Sequence, residues 1–348
     1  MISLPGLSKL RQTARRIRKR LTPGGLILLY HRVAQVDSDP WSLCVSPSHF
    51  AEHLEVLHRF GRVVQLQQLT QTLEQGKHPH RQFVITFDDG YADNLDNAKP
   101  LLEHYDKPAT VFVTSGHIGS QHEFWWDQLE RLLLQPGTLP EKLVLTINGS
   151  SYEWELGAST YYSKESYQHH HSWRASRQDS PTPRHSLYCS LYPLLRPLPE
   201  NERQKILAQL LVWTGAKPSS RLTHRSLTST ELSVLEQGGL IEVGAHTVTH
   251  PFLSALPAPL QQEEIQRGKA ELEEILGHSV SSFAYPYGDY TAETIPIVRA
   301  AGFARACSTT IAYSIGRHAD CFQLPRVVVE DWDGDEFARQ LKGWLFDE

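Results

Sequence analysis

Short apolar runs alternate along the chain with longer segments in which apolar residues recur at helical spacing. The runs are typical of buried strands, and the predicted strands lie at 25–31, 61–66, 82–87, 109–113, 240–243, 282–288, 304–308 and 322–329. Helices are predicted around the second strand within 46–75, from 228 to 238, and at 260–276. Strands that alternate with helices indicate parallel β-α-β units, so the sequence predicts an α/β fold.

Local signals mark the ends of these predicted helices. Ser46 followed by Pro47 is typical of a helix start. Thr228 and Glu231 have the spacing of a capping box. Gly277 directly follows the last apolar residue of the helix predicted at 260–276. These signals place the helix ends independently of the hydrophobic pattern.

The alternation of strands and helices stops between about residues 120 and 225. This segment contains aromatic residues at 124–126, His at 169–171 and several Pro between 181 and 199. We interpret it as a long, partly helical insertion with an irregular middle. Phe124, Trp125 and Trp126 are either a sugar-stacking platform or a hydrophobic anchor for the insertion.

Composition narrows the function classes only a little. A formal charge of −5 over 348 residues gives no reason to expect a nucleic-acid partner. No C-x-x-C pair is present, and free thiols are a simpler expectation than a Cys307–Cys321 disulfide. Residues 1–24 form a basic amphipathic arm without signal-peptide features. We therefore expect a cytoplasmic protein whose arm either contacts an anionic membrane surface as a peripheral anchor or docks by its apolar side.

Polar side chains cluster where the predicted strands end. His31 follows the first strand, and Asp88 and Asp89 follow the strand at 82–87. His246 and His250 follow the strand at 240–243. In a (β/α) barrel the carboxyl ends of all strands form one face, which carries the active site. We therefore expect these side chains to lie close together.

Asp89, His246 and His250 are a candidate metal site. One carboxylate and two imidazoles are ligands that catalytic zinc takes while it keeps a position open for water. Cobalt, nickel and iron accept the same set, so the sequence predicts one divalent metal ion with zinc as the first choice. Pro251 favours a compact loop over a helical turn around the two His. Either motif alone has an ordinary alternative, a turn for the Asp pair and a solvated pair for the His.

Asp88 and His31 complete the set that a hydrolase needs. Asp88 lies beside the candidate metal site, where a carboxylate can accept a proton from the attacking water. His31 is the best placed donor of a proton to the leaving group. A His that ends a strand by bonding a backbone carbonyl is an equal alternative for this residue.

Thr86-Phe-Asp-Asp-Gly90 and His246-Thr-Val-Thr-His250 together resemble the first two motifs of NodB-type polysaccharide deacetylases, carbohydrate esterase family 4. Tyr30-His31 resembles the poly-N-acetylglucosamine deacetylase branch. The resemblance implies a distorted (β/α)7-type barrel over residues 25–348, interrupted by the insertion, and a carbohydrate substrate. It implies the same metal ligands, Asp88 as base and His31 as acid. Through Phe283-Ala-Tyr-Pro-Tyr287, which stands at the third motif, it also implies that Pro286 and the backbone amide of Tyr287 bind the oxyanion or substrate.

The chain departs from the family pattern at two places. Phe283 stands where the third motif has an Arg that orients the catalytic Asp, and Arg326 is the candidate substitute, with an ordinary surface Arg as the alternative. The late His motif of the family is not evident, since His318 lacks its pattern. Asp331-Trp332-Asp333 resembles a fourth motif, in which an acid tunes the catalytic His and Trp332 lines the acetyl pocket. A charged turn is the alternative for that segment.

The residues and the resemblance together predict a metal-dependent enzyme that removes the acetyl group from an N-acetylated amino sugar and releases acetate. An O-acetyl esterase or another amidase on the same scaffold is the alternative within enzymes. A glycan-binding module with a decayed site is the alternative outside enzymes, and Phe283 in place of Arg motivates it.

Overall fold

The computed structural model describes residues 24–309 and 314–346, so nearly all of the predicted basic arm at 1–24 lies outside the described residues. The strands are β1 (Leu26–Tyr30), β2 (Arg32–Val33), β3 (Cys44–Val45), β4 (Arg62–Val63), β5 (Gln82–Phe87), β6 (Ala109–Val113), β7 (Gly137–Thr138), β8 (Lys142–Ile147), β9 (Ser150–Glu155), β10 (Tyr161–Tyr162), β11 (Ile241–Ala245), β12 (Ser282–Ala284), β13 (Arg305–Cys307) and β14 (Val327–Val328). The helices are α1 (Pro47–Phe60), α2 (Leu66–Glu74), α3 (Lys99–His104), α4 (Trp125–Leu133), α5 (Lys164–His170), α6 (Pro183–Leu195), α7 (Glu200–Thr214), α8 (Ser229–Glu236), α9 (Ala258–Leu276), α10 (Thr294–Ala300) and α11 (Gly334–Phe346).

One parallel sheet carries the fold. Its strands run in the order β13-β12-β11-β6-β5-β1-β14, and β4 pairs with the start of β5. The segment from 324 to 329, which contains β14, connects β13 to β1, because Leu324 N donates to Ala306 O of β13 at 3.0 Å and Val329 N donates to Leu29 O of β1 at 2.9 Å. The curled parallel sheet with its surrounding helices confirms the predicted distorted (β/α) barrel.

The central strands β1, β5 and β6 of this sheet are buried on both faces, which explains why they form continuous apolar runs in the sequence. Leu26 and Leu28 of β1 belong to the large core that includes residues of the surrounding helices. Ile27, which points to the opposite side, belongs to a smaller core with Val84 and Phe112 of the neighbouring strands. The second core includes residues of α2.

The predicted helix ends are confirmed. The Ser46 hydroxyl accepts a hydrogen bond from His49 N at 3.3 Å, at the start of α1. Thr228 and Glu231 form both hydrogen bonds of a capping box at the start of α8. Gly277 ends α9 with a φ of 75°, a conformation that glycine adopts without strain.

The insertion has a hydrophobic core of its own, built mainly from α4, α6, α7 and the strands β8 and β9. Its middle is more regular than the sequence analysis predicts, because β8 and β9 pair as an antiparallel hairpin. Asn148 and Gly149 at its turn have φ values of 51° and 78°. An Asn-Gly pair between two alternating segments is the usual signal for such a hairpin, so the sequence carried this information.

The cysteines agree with expectation, and the helices can be examined for membrane spans. All four cysteines, Cys44, Cys189, Cys307 and Cys321, are free thiols. Within 24–309 and 314–346, none of the helices has the length and the apolar character that crossing a membrane requires.

Gly244 in β11 provides a test of how tightly the sheet is packed. A Cβ at this position would lie 2.5 Å from Cδ1 of Phe112 on the neighbouring strand. Gly244→Ala should therefore lower the free energy of unfolding by roughly 1–3 kcal/mol, the usual cost of overpacking a core. Urea unfolding measures the change. Gly343→Ala in α11 is the control, because a Cβ there meets nothing within 4 Å; equal stability of the two variants would contradict the packing argument.

Candidate active site

The carboxyl ends of β1, β5 and β11 bring the predicted site residues together. Tyr30 pairs with Phe87, so the residues that follow them, His31 and Asp88, leave the sheet side by side. His246 leaves β11 at the same end, and its backbone N–H donates to Val113 O of β6 at 3.0 Å. The catalytic and metal-binding candidates all line one cleft with a volume of about 240 Å³.

Asp89, His246 and His250 offer ligand atoms that all lie within 4.8 Å of one another, and all three residues are buried. Asp89 Oδ1 lies 3.3 Å from His250 Nε2 and 3.7 Å from His246 Nε2. The same Oδ1 atom is buried and makes no hydrogen bond within the described part of the chain. A buried carboxylate oxygen without a hydrogen bond is costly, and the donor set is one that zinc accepts. The three residues therefore fit a divalent metal ion.

Both imidazoles are prepared to act as ligands. Burial lowers the pKa of His246 to about 4 and that of His250 to about 3, so both rings are neutral at pH 7. His246 Nδ1 lies 2.8 Å from the backbone oxygen of Ala284. A neutral ring that donates from Nδ1 keeps its Nε2 lone pair for the cluster, the usual arrangement for a metal-binding His.

The loop that carries the two His is compact, as Pro251 predicts, and its backbone is strained. Thr247 and His250 have φ values of 63° and 55°, and Asp89 across the cluster has a φ of 74°. Such values are uncommon outside glycine and occur most often at functional sites. The Thr247 hydroxyl accepts a hydrogen bond from His250 N at 3.1 Å, which braces the loop from within.

Helix α9 braces the same loop from outside. The carboxylate of Glu264 accepts hydrogen bonds from the backbone N–H groups of Val248 and Thr249, each at 2.9 Å. Gly268, one turn further along α9, permits this close approach, since a Cβ there would lie 2.9 Å from the carbonyl carbon of Thr247. The conformation of the His loop therefore depends on a helix that contributes no ligand.

Arg326 holds Asp88 in a bidentate ion pair. Its two terminal nitrogens donate to Oδ1 at 2.6 Å and to Oδ2 at 2.7 Å, and both residues are buried. Burial alone would raise the pKa of Asp88, but the charge and hydrogen bonds of Arg326 lower it to about 2. Arg326 thus takes the place of the Arg that Phe283 replaces. The guanidinium of Arg326 is engaged by Asp88, and Arg326 does not line the cleft where an oxyanion or substrate would bind.

His31 lines the cleft close to both carboxylates. Burial raises the pKa of Asp89, and the nearby His31 and His246 act to lower it. The backbone oxygen of His31 accepts a hydrogen bond from Asn94 at 2.9 Å, so the residue also helps to end β1. His318, the later candidate, is exposed and contacts Arg317.

The fourth-motif assignment is corrected by the structure. Asp331 contacts His49 Nδ1 at 2.7 Å and accepts from Ser46 N at 2.8 Å, so its partner is not His31. The ring of Trp332 packs at 5.9 Å from that of Trp344 in α11 and is not part of the cleft lining. Trp332 therefore lies outside the cleft in which the acetyl group would bind.

The third-motif turn lies at the cleft, as expected. Tyr287 lines the cleft with a φ of 58°, and its ring lies 4.5 Å from that of His250. Trp125 Nε1 donates to its hydroxyl at 3.2 Å, which connects the insertion to this turn. Pro286 is buried beneath it and shapes the turn without lining the cleft.

Three aromatic residues of the cleft were missed or only partly recognised in the sequence. Phe124 and Trp125 are buried in the core of the insertion, while Trp126 lines the cleft with its ring 5.0 Å from that of His250. Trp41 and Tyr192 also line the cleft. They lie in different elements, so no local sequence pattern could place them there.

Known proteins with similar sequences point to one family. A family model described as polysaccharide deacetylase matches residues 75–140 and 217–306, on both sides of the insertion. A poly-beta-1,6-N-acetyl-D-glucosamine N-deacetylase of Staphylococcus epidermidis is 34% identical over 108 residues, which are 27% of this chain and 37% of that protein. The matched part is thus well under two thirds of that relative. The resemblance inferred from the two motifs is confirmed.

Solved structures with similar folds cover nearly the whole chain. IcaB from Ammonifex degensii has a TM-score of 0.56 at 20% identity and covers 93% of this chain and 97% of its own. The deacetylase PplD of Streptococcus pyogenes, solved in complex with acetate, has a TM-score of 0.55 at 17% identity and covers 91% of this chain and 98% of its own. At these identities the likeness establishes the fold.

Glu264→Gln should weaken metal binding, because it removes the negative charge that strengthens the hydrogen bonds from the His loop. The amide nitrogen also cannot accept the hydrogen bond that the Thr249 hydroxyl donates to Oε1 of Glu264 at 2.7 Å. Residues of this kind, which orient metal ligands, commonly contribute 10- to 100-fold to affinity, so we expect roughly a tenfold higher Kd for Zn²⁺ or Co²⁺. Isothermal titration measures it. Glu263→Gln is the matched control, since Glu263 is the adjacent exposed residue of α9. Equal affinities of the two variants would show that α9 does not support the site.

Proposed function

We propose that this chain, which matches the polysaccharide deacetylase family model on both sides of the insertion, hydrolyses the acetamide of an N-acetylated amino sugar in a glycan or glycan precursor and that the reaction depends on a divalent metal ion. The products are acetate and the free amine. One observation carries this proposal. A buried Asp-His-His cluster, a second carboxylate in an ion pair and a further His all lie at one end of a parallel barrel and line the same cleft.

Asp89, His246 and His250 would hold the metal, with zinc as the first choice. When bound, such an ion polarises an acyl carbonyl and makes water more acidic near neutral pH. The neutral imidazoles and the unpaired carboxylate oxygen support this assignment. Cobalt, nickel and iron remain chemically compatible with the same ligands.

Asp88 is the base in this proposal. It accepts a proton from the water whose oxygen attacks the acetamide carbon. Its low pKa, about 2, keeps it ionised at any physiological pH but also makes it a weak base. Such a weak base can deprotonate a water molecule whose pKa a metal ion has lowered, and it would deprotonate bulk water inefficiently. Arg326 acts here as a positioning residue, since it fixes both oxygens of Asp88.

Collapse of the tetrahedral intermediate needs an oxyanion donor and an acid. The backbone amide of Tyr287, in the strained turn at the cleft, is the proposed donor to the oxyanion. His31 gives a proton to the nitrogen as the C–N bond breaks, so that the amine leaves in neutral form. The proton that Asp88 takes up returns to solvent or to His31, and the site is restored.

The substrate class follows from the relatives. The Staphylococcus epidermidis protein is described as acting on poly-beta-1,6-N-acetyl-D-glucosamine. We therefore take β-1,6-linked N-acetylglucosamine oligomers as the first substrates to test, with O-acetylated sugars as the alternative. The same residues would hydrolyse either acyl group.

Acetate release from these oligomers tests the function. The purified protein loaded with Zn²⁺ or Co²⁺ should release acetate, and Asp88→Asn should lower the rate at least 100-fold while metal content stays near one ion per chain. Chelation should abolish the activity, and added metal should restore it. Release only from O-acetylated sugars would replace the amidase proposal by the esterase, and no turnover with metal bound would contradict both.

The pH profile tests the positioning role of Arg326. Arg326→Gln removes the charge that lowers the pKa of Asp88 and leaves burial, which raises it. Asp88 would then be protonated at a higher pH, so the activity of the variant relative to the native protein should fall as pH falls from about 6 to about 4. The acid limb of kcat/KM should move upward by at least about one pH unit, because an opposite charge typically shifts a carboxyl pKa by 1–3 units.

Arg305→Gln is the matched control for the loss of a buried Arg inside the barrel. Arg305 contacts Thr70, Ser281 and Ser282 rather than Asp88. The Arg305→Gln variant should therefore have a changed free energy of unfolding, while the acid limb of its kcat/KM profile stays at the native pH. Parallel pH profiles for the native protein and Arg326→Gln would contradict the role of Arg326.

A further inference from the structure

The cleft has two aromatic rings that the proposed mechanism does not use. Trp126 and Tyr287 both pack against His250, so they support a metal ligand. Trp41 and Tyr192 instead pack against each other, with ring centroids 4.0 Å apart and planes at 40°. Both are only partly buried and both line the cleft. Both rings pack on one side against the hydrophobic core of the insertion, and the rest of their surface is open to the cleft.

The two rings come from different parts of the chain, and each is held firmly. Trp41 lies in the connection between β2 and β3, where the Asp39 carboxylate accepts from Leu43 N at 2.9 Å and Cys44 N at 3.0 Å. Pro40 O accepts from Ala175 N of the insertion at 2.8 Å. Tyr192 belongs to α6, and its ring also packs at 4.8 Å from that of the buried Trp125. The pair is thus fixed before any ligand binds, which lowers the entropy cost of binding.

We propose that Trp41 and Tyr192 form a subsite that binds the pyranose ring of the amino sugar by stacking. The proposal rests on the proposed function. The faces of a pyranose ring carry C–H groups, and its hydroxyls project from the edge, so a rigid aromatic surface can cover a face while the hydroxyls stay hydrated. The other non-catalytic lining residues include Leu29, Leu43 and Val328, which offer apolar contact without a flat surface.

This subsite gives the insertion a role in specificity. Tyr192 is supplied by the insertion, and Trp125 joins the insertion to the catalytic turn through the Tyr287 hydroxyl at 3.2 Å. Arg196, just beyond α6, lies over the Tyr287 ring at 4.4 Å and adds a second connection. The insertion therefore carries one half of the sugar subsite and is attached to the turn where the acetyl group would react. Substrates with a sugar ring gain contacts that a bare acetamide lacks.

Steady-state kinetics with β-1,6-linked N-acetylglucosamine oligomers test the subsite. Tyr192→Leu and Trp41→Leu should each raise KM about tenfold, the change that about 1.4 kcal/mol of lost binding produces. Their kcat should stay within about threefold of the native value, because neither ring contacts the reacting atoms. Tyr192→Phe keeps the ring and should keep the native KM. If Tyr192 bound the sugar through its hydroxyl, this variant would raise KM as well.

Tyr161→Leu is the control, because Tyr161 is a 67% exposed aromatic residue of the insertion in β10, outside the cleft lining. Thermal unfolding checks that each variant folds. Trp41 and Tyr192 lie on separate elements, so if one Leu variant does not fold, the KM of the other still tests the subsite. Native KM in both Leu variants, with the native protein active, would overturn the subsite alone. An inactive native protein would overturn the proposed function and the subsite with it.

Discussion

The buried ion pair between Arg326 and Asp88 connects the closure of the barrel to the chemistry of the site. Arg326 lies in the segment that hydrogen-bonds to β13 on one side and to β1 on the other, and its guanidinium meets the carboxylate at the end of β5. Burying either charge alone would be strongly unfavourable, whereas the bidentate pair satisfies both oxygens. The position of the closing segment and the position of the base are therefore set by the same contact.

The next residue, Asp89, is equally buried but has no such partner. Arg326 keeps the pKa of Asp88 low, while burial raises the pKa of Asp89. Two adjacent carboxylates thus have opposite environments, and one of them retains an oxygen without a hydrogen bond. With two neutral imidazoles beside it, that oxygen is stabilised best by a cation. The contrast between the two Asp residues separates a base from a metal ligand, a division of roles that neighbouring titratable groups commonly show.

The sequence predicted the features that depend on local patterns. Buried strands and helix caps are short-range signals, and the polar residues after β1, β5 and β11 meet because parallel strands end on one face. The Asn148-Gly149 pair is an equally local signal for a hairpin, although the predicted elements do not include that hairpin. Arg326 could be named only as a candidate, since its contact with Asp88 joins residues far apart in the chain and no spacing encodes it.

The aromatic part of the cleft shows the same limit. Trp41 and Tyr192 meet because the insertion folds back over the barrel mouth, and Trp332, which the motif pattern favoured, packs on α11 instead. The strained φ values of Asp89, Thr247 and His250 are also invisible in the sequence, because ordinary side chains adopt them only when the surrounding structure enforces them.

Anomalous diffraction at the zinc absorption edge, from crystals of the zinc-loaded protein, tests the central claim most directly. The account predicts one strong peak bound by Asp89, His246 and His250, with ligand distances of about 2.0–2.2 Å, and with Asp88 still paired to Arg326. A peak held by other residues, or no peak at this cluster in protein that releases acetate, would contradict it.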